Sequence, residues 1–149
     1  MLKAAATDAH DLSRFLQAQQ GIYEIALSEI RQGQKRSHYM WFVFPQFAGL
    51  GISATSQRYA IRSLSEAVAY LEHPVLGRRL AECAEALLRM EGRSARQIFG
   101  SPDDMKLMSS ATLFAHVSPA GSVFERVLDK YFRGERDRQT LHLIGQATA

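Results

Sequence analysis

Residues 37–47, Ser37-His38-Tyr39-Met40-Trp41-Phe42-Val43-Phe44-Pro45-Gln46-Phe47, hold five of the chain's fourteen aromatic residues, among them its single tryptophan. The run is too short for a membrane span, which takes about 20 apolar residues, and Pro45-Gln46 stops it. It reads as a core segment of a soluble domain, with His38 at its entrance and Gln46 at its exit. A buried imidazole and a buried amide each need hydrogen-bond partners, so this stretch is the first place to look for a site. Periodicity does not decide between a short helix and an isolated strand over 38–43; the helical patterns on either side favour a helix. Pro45 drives Phe44 out of the helical region, so the element ends there.

Upstream, Phe15, Leu16, Ile22, Tyr23, Ala26, Leu27 and Ile30 recur at helical spacing and predict one helix, capped by Asp8 or Asp11 and ended by Gly33. Downstream, Gly49-Leu50-Gly51 predicts a turn that uses positive φ. A helix started by Ser53 or Thr55 then carries Ala60, Ile61, Leu64, Ala67, Val68 and Leu71, and Ser63 with Glu66 forms a capping box able to restart it. Pro74 suits the first position of a helix bearing Val75, Leu76, Leu80, Cys83, Leu87 and Met90 toward Gly92. Ser94 with Gln97 opens a single turn through Phe99, and Ser101-Pro102-Asp103-Asp104 opens a helix over 105–115. Ser118-Pro119 opens another that ends at Gly134, and a last helix from Asp137 to Ile144 docks through Leu141, Leu143 and Ile144. No strand alternation of useful length appears. The chain is expected to be all-α, a compact array of about seven or eight short helices in a single domain over 1–149, with a flexible N-terminus over 1–7.

A chain of 149 residues can bury a sizeable core without metals or disulfides. Its single cysteine, Cys83, lies on an apolar stripe and reads as a small buried thiol. There is no apolar stretch of signal-peptide length at the N-terminus, so a cytoplasmic protein with no membrane association is expected. The net charge of +3 comes from basic residues spread along the whole chain, and the densest group is Arg31, Lys35 and Arg36. Nucleic-acid binding usually shows a stripe or tail of like charge, and neither is present. The five histidines lack metal-ligand spacing, so no metal is expected, and no cofactor motif is present.

Two segments carry candidate chemistry. In the first, His38 sits beside an aromatic run that would lower the dielectric around it, and Gln46 can return near it. Trp41 reads as core, with ligand stacking as the alternative. The following loop, Gly49, Gly51 and Ser53, precedes a helix and can aim backbone N–H groups at an anion. It lacks the third glycine of a dinucleotide fingerprint and the lysine of a P-loop. In the second segment Lys106 has Ser109 and Ser110 at the next helical turn, an order reversed from the Ser-x-x-Lys of known nucleophiles. An ion pair of Lys106 with Asp103 or with a neighbouring helix is the simpler reading. His38, Lys106 and Asp104 are the catalytic candidates; His38, Trp41, Gln46, Gly49, Gly51, Ser53, Lys106 and Ser110 are the ligand-binding candidates.

The stretches SHYMWFVFPQ (37–46), GLGIS (49–53), YAIRSLSEAVAYLEHPVLGRRL (59–80), QIFGSPDDMKLMSSATLF (97–114) and FERVLDKYFRGERDRQTL (124–141) resemble a bacterial family, domain of unknown function 1810, at times mislabelled calpastatin. The resemblance runs in order from Phe15 to Leu143 and implies an all-helical fold without transferring any activity or catalytic residue. Tyr39 stands where tryptophan is expected in many relatives, an aromatic in place of an aromatic. A fainter likeness, in the Tyr70–Leu76 and Phe99–Asp103 stretches, is to the NADAR group of N-glycosidases that act on ADP-ribose-type nucleotides. The leading reading is a domain that binds a small anionic, nucleotide-like ligand between the aromatic segment, the glycine loop and the Lys106 helix. The alternatives are an N-glycosidase acting on such a nucleotide and a protein interaction module without a pocket.

Overall fold

Residues 107–115 are buried without interruption, as in a helix with neighbours on every side. They lie in the eighth of ten helices in the computed structural model, which describes residues 8–148. In chain order these are α1 (Ser13–Gln19), α2 (Tyr23–Gln32), α3 (Met40–Val43), α4 (Ala54–Arg58) and α5 (Leu64–Glu72). They continue with α6 (Leu76–Arg89), α7 (Ala95–Phe99), α8 (Asp103–His116), α9 (Val123–Phe132) and α10 (Arg138–Thr148). Around α8 pack α9, α7, α10, α5 and the aromatic helix α3, while α6 joins α2, α5 and α9 on the far side of the core. No strand occurs among the described residues, and the expected all-helical class is the one observed. The expectation of flexibility over 1–7 falls outside the described residues.

The helix count exceeds the expected seven or eight because two predicted helices are each split. The first breaks at Gln20-Gly21-Ile22, where Gly21 takes φ +75°, and the break lets Gln19 turn its amide into the core. The second stops at Arg58. Ala60 and Ile61, read as helical, run extended instead, and Ile61 forms an isolated parallel bridge with Phe47. Ser63 then caps α5 by accepting from the Glu66 amide at 3.0 Å, so the predicted restart is real. The segment 38–43 resolves to the short helix α3.

Local capping chemistry explains most other boundaries. Asp8 Oδ1 accepts from the Leu12 amide at 2.6 Å ahead of α1, and the Ser94/Gln97 capping box opens α7. Asp137 Oδ2 accepts from the amide and hydroxyl of Thr140 at the start of α10. Ser101 and Ser118 do not cap: α8 begins behind Pro102 with no side-chain cap, and Ser122 caps α9 by accepting from Glu125. Helix α6 ends at Arg89, short of Gly92, and Lys130 and Tyr131 of α9 take its last carbonyls, with Tyr131 Oη donating to Leu87 O at 2.5 Å. On α10, Ile144 is buried and Leu143 packs on the core, but Leu141 is 37% exposed and does not dock.

One charged pair lies inside this core. Arg14 on α1 and Glu66 on α5 are 3% and 2% exposed, with Arg14 Nη2 and Glu66 Oε2 at 2.5 Å. Arg14 also donates to the carbonyls of His10, Asp11, Arg58 and Ala60, each at 2.8 Å. Glu66 Oε1 accepts from the Arg62 amide at 3.1 Å. Every polar atom of the pair is thereby engaged, and the segment 58–62 is fastened to α1 and α5. Removing one member leaves the other charge buried and unpaired, which costs about 3–5 kcal/mol. Arg14→Ala is therefore expected to lower the urea-unfolding free energy by that amount, and a loss below about 1 kcal/mol would contradict this account of the pair.

Candidate functional site

The aromatic segment is held from outside at three points. Before α3, the Glu29 carboxylate of α2 accepts from the amides of Arg36 at 2.7 Å and Ser37 at 2.9 Å and from the Ser37 hydroxyl at 2.6 Å. Near the end of α3, the Phe42 carbonyl accepts from Gln19 Nε2 at 2.7 Å and from the Tyr70 hydroxyl at 3.3 Å. Beyond Pro45, Ile61 N donates to Gln46 O at 2.8 Å and Ala48 N donates to Ile61 O at 2.9 Å. Extended backbone alternates its side chains. Phe47 and Ile61 therefore enter the core, while Gln46, Ala48, Ala60 and Arg62 line a cleft on the other side.

That cleft, about 230 Å³, is walled by Trp41, Gln46, Ala48, Gly51, Tyr59 and Arg62. A second cleft of about 220 Å³ is formed by Lys35, His38, Tyr39, Trp41, Asp103 and Lys106. Trp41, half-buried, belongs to both. In the second cleft Asp103 lies 2.9 Å from Lys35 and 3.3 Å from Lys106. The Lys106 ammonium sits 5.2 Å from the centre of the Trp41 ring, and His38 stacks on that ring at 6.5 Å with planes 22° apart.

The candidates from sequence are therefore divided. His38 and Lys106 share the lysine cleft, Gln46, Gly49 and Gly51 share the other, and Trp41 joins the two groups. His38 is exposed, in contrast to the buried imidazole expected, and it shares no cleft with Gln46. Trp41 is half-buried; the core positions of α3 are Met40 and Val43, flanked by Tyr39 and Phe44. Asp104 lies outside both clefts, and Asp103 is the carboxylate of the site. Ser110 is also outside, 1% exposed, with its hydroxyl facing apolar neighbours and no partner among the described residues. Lys106 pairs with Asp103, and Ser109 bonds Met105 O and Asp137, so no Ser/Lys nucleophile forms.

The glycine loop is a packed turn. Gly49 has φ +106°, but Gly51 is outside the left-handed region, and a Cβ there would come within 2.5 Å of Ser56. Ser53 is exposed and accepts from the Ser56 amide at 3.1 Å, which satisfies the first turn of the five-residue α4. The positive field of the site thus comes from side chains and not from backbone amides. Lys35 is the residue that sequence reasoning missed. In sequence it belongs only to the densest basic group, with Arg31 and Arg36, and those two are exposed. The lysine itself is only 10% exposed and lies over the Tyr39 ring at 5.2 Å.

Burial opposes the charge of Glu29, but the hydrogen bonds from Ser37 and the Arg36 amide outweigh it and hold its pKa below the ordinary 4.5. Burial raises the Tyr39 phenol well above its ordinary value and pushes the Cys83 thiol up to about 12, so neither is an acid or nucleophile near neutrality. No group of three His, Cys, Asp or Glu residues able to hold a metal occurs among the described residues. No helix among them is long and apolar enough to cross a membrane.

The fold and its paired clefts define an all-helical protein with a half-buried tryptophan between a cleft that holds two lysines and a cleft that holds Gln46. The family model described as a protein of unknown function (DUF1810) matches residues 9–144, and the chain belongs to that family. It is similar to the crystal structure of the conserved hypothetical protein Rv1873 from Mycobacterium tuberculosis, at 50% identity and a TM-score of 0.89. That match covers 91% of this chain and 96% of the other. No curated protein matches it.

Two outcomes check this anatomy. Phe44, 3% exposed, should cost about 3–5 kcal/mol on replacement by alanine. Trp41→Ala should cost less than about 2 kcal/mol because part of the indole already faces water; equal losses in urea melts would place Trp41 in the core. A carboxylate with a depressed folded pKa stabilises the fold above its ordinary pKa and loses that contribution as pH falls through the folded value. Between about pH 6 and pH 3 the wild type should therefore lose more stability than Glu29→Gln, and parallel pH profiles would remove Glu29 as the clamp on residues 36–37.

Proposed function

We propose that the protein binds a small anionic, nucleotide-like ligand at the lysine cleft, with Trp41 as the adjoining stacking surface. The observation that supports this most is a charge imbalance: two ammonium groups, Lys35 and Lys106, share the single carboxylate of Asp103. The net positive charge is held in a recess, where counter-ions screen it less than at an open surface. Lysine binds phosphate as a point charge from flexible stems, and both stems are already directed into the cleft by their aromatic neighbours. Asp103 competes with any incoming anion and so keeps the affinity moderate. Such ligands belong to the cytoplasm, the compartment this reading assigns.

One observation favours an N-glycosidase as the second reading: Asp103 places a carboxylate in the same cleft as Trp41, and glycoside cleavage passes through an oxocarbenium-like state that a carboxylate stabilises. An assay for free base released from any nucleotide that binds separates the two, since a ligand recovered intact after hours leaves binding alone.

Inorganic pyrophosphate tests the binding reading directly. A ligand at a hundredfold excess over Kd adds about 2.7 kcal/mol of stability, several degrees of melting temperature for a domain of this size. Pyrophosphate should raise the melting temperature of the wild type; Lys35→Ala and Lys106→Ala should each lose most of the shift, and Asp103→Asn should bind more tightly. Absence of any shift at millimolar pyrophosphate would remove the anion site.

A further inference from the structure

The Gln46 cleft has chemistry of its own. Gln46 is half-buried, and its side-chain amide makes no hydrogen bond among the described residues. Two of its polar neighbours are engaged: Ser56 accepts from Ser53 Oγ at 2.9 Å, and Gln57 Nε2 donates to Ile52 O at 3.0 Å. A partly desolvated amide with donor and acceptor both open matches a ligand edge that carries an adjacent acceptor and donor. Adenine presents that pattern at N7 and N6, whereas the same edge of guanine, N7 and O6, presents two acceptors and suits arginine; Arg62 of this cleft is exposed. The backbone carbonyl of Gln46 is tied to Ile61, so the bridge fixes the backbone from which this side chain enters the cleft.

Size points the same way. The clefts measure about 230 and 220 Å³, each below the roughly 300–1,000 Å³ of small-molecule sites, and only as a pair do they reach that range. Trp41 is the wall they share. On the lysine side its ring is occupied by His38 and Lys106, which leaves the Gln46 side for a planar group.

We infer that the two clefts are halves of one site and that the Gln46 half takes the adenine of a nucleotide whose phosphate lies between Lys35 and Lys106. This rests on the anion reading of the lysine cleft and adds a base specificity to it. The donor and acceptor of Gln46 meet adenine N7 and N6, and the ring stacks on Trp41. The phosphate exchanges water for the two ammonium groups across the indole.

The test uses calorimetry with AMP, GMP and ribose 5-phosphate, together with the fluorescence of Trp41, the only tryptophan. AMP should bind at least about tenfold more tightly than ribose 5-phosphate or GMP, and it alone should quench Trp41. Gln46→Leu should bring AMP down to the level of ribose 5-phosphate while leaving the latter unchanged. If that variant does not fold, Gln46→Glu, which keeps the side-chain size but has no donor for N7, should likewise reduce the AMP preference. AMP and ribose 5-phosphate of equal affinity, GMP the tighter ligand, or an AMP affinity that a folded variant leaves within about twofold would each overturn the adenine half. The anion site survives any of those results. Failure of the wild type to bind either AMP or ribose 5-phosphate would overturn both.

Discussion

The ion pair of Arg14 and Glu66 is the constraint on which the rest of this structure turns. Two charges have been taken almost wholly out of water, which costs several kcal/mol per ion before any compensation. Their mutual attraction alone does not offset that; the four carbonyls on Arg14 and the amide on Glu66 do the remainder. A buried pair of this kind is weak evidence for added stability, because an apolar replacement of equal volume often does as well. What it fixes is geometry. The carbonyls of Arg58 and Ala60 have to meet one guanidinium, and this sets the extended path of residues 58–62, from which the Phe47–Ile61 bridge and the Gln46 cleft follow.

The same principle recurs around the aromatic helix. α3 spans only Met40–Val43, too short to be stable by itself, and it is positioned by groups remote in sequence: Glu29 before it, Gln19 and Tyr70 at the Phe42 carbonyl. Gln19 is in turn oriented by Arg79, whose Nη1 donates to its Oε1 at 3.2 Å. The apolar members of α3 and its flanks anchor the segment, while Trp41 is left between two recesses. A ligand in either recess would meet a short element whose orientation is over-determined by buried polar contacts, a condition that favours pre-organised binding.

What could be read in the residues was the local part. The capping box at Ser94 and Gln97, the restart at Ser63 and the apolar periodicity of α2, α6 and α9 are patterns within a few positions of one another, and the chain obeys them. Long-range partners left no such trace. Arg14 lies in a helical pattern with no mark of burial, and its partner Glu66 had a sufficient local explanation as a capping residue. Lys35 sat in a basic cluster and pairs across 68 positions with Asp103. Gly77 lies within the first turn of α6 without a local signal of its own, yet a Cβ there would lie 1.9 Å from the Leu71 carbonyl, so the α5–α6 junction depends on its absence. For the candidate site, the aromatic run led to the segment that lies between the two clefts. It could not show that Trp41 separates His38 from Gln46, because that depends on which face of a four-residue helix is covered.

The central claim is that the charge around Trp41 forms a binding site and is not a solvated patch. Titration of isotopically labelled protein with pyrophosphate, followed by amide and indole N–H resonances, tests it most directly. The account predicts that shifts concentrate on the Trp41 indole and on the amides of residues 35–41 and 103–106, and that they saturate. Weak, unsaturated shifts spread over the exposed arginines, with the Trp41 indole unmoved, would contradict it.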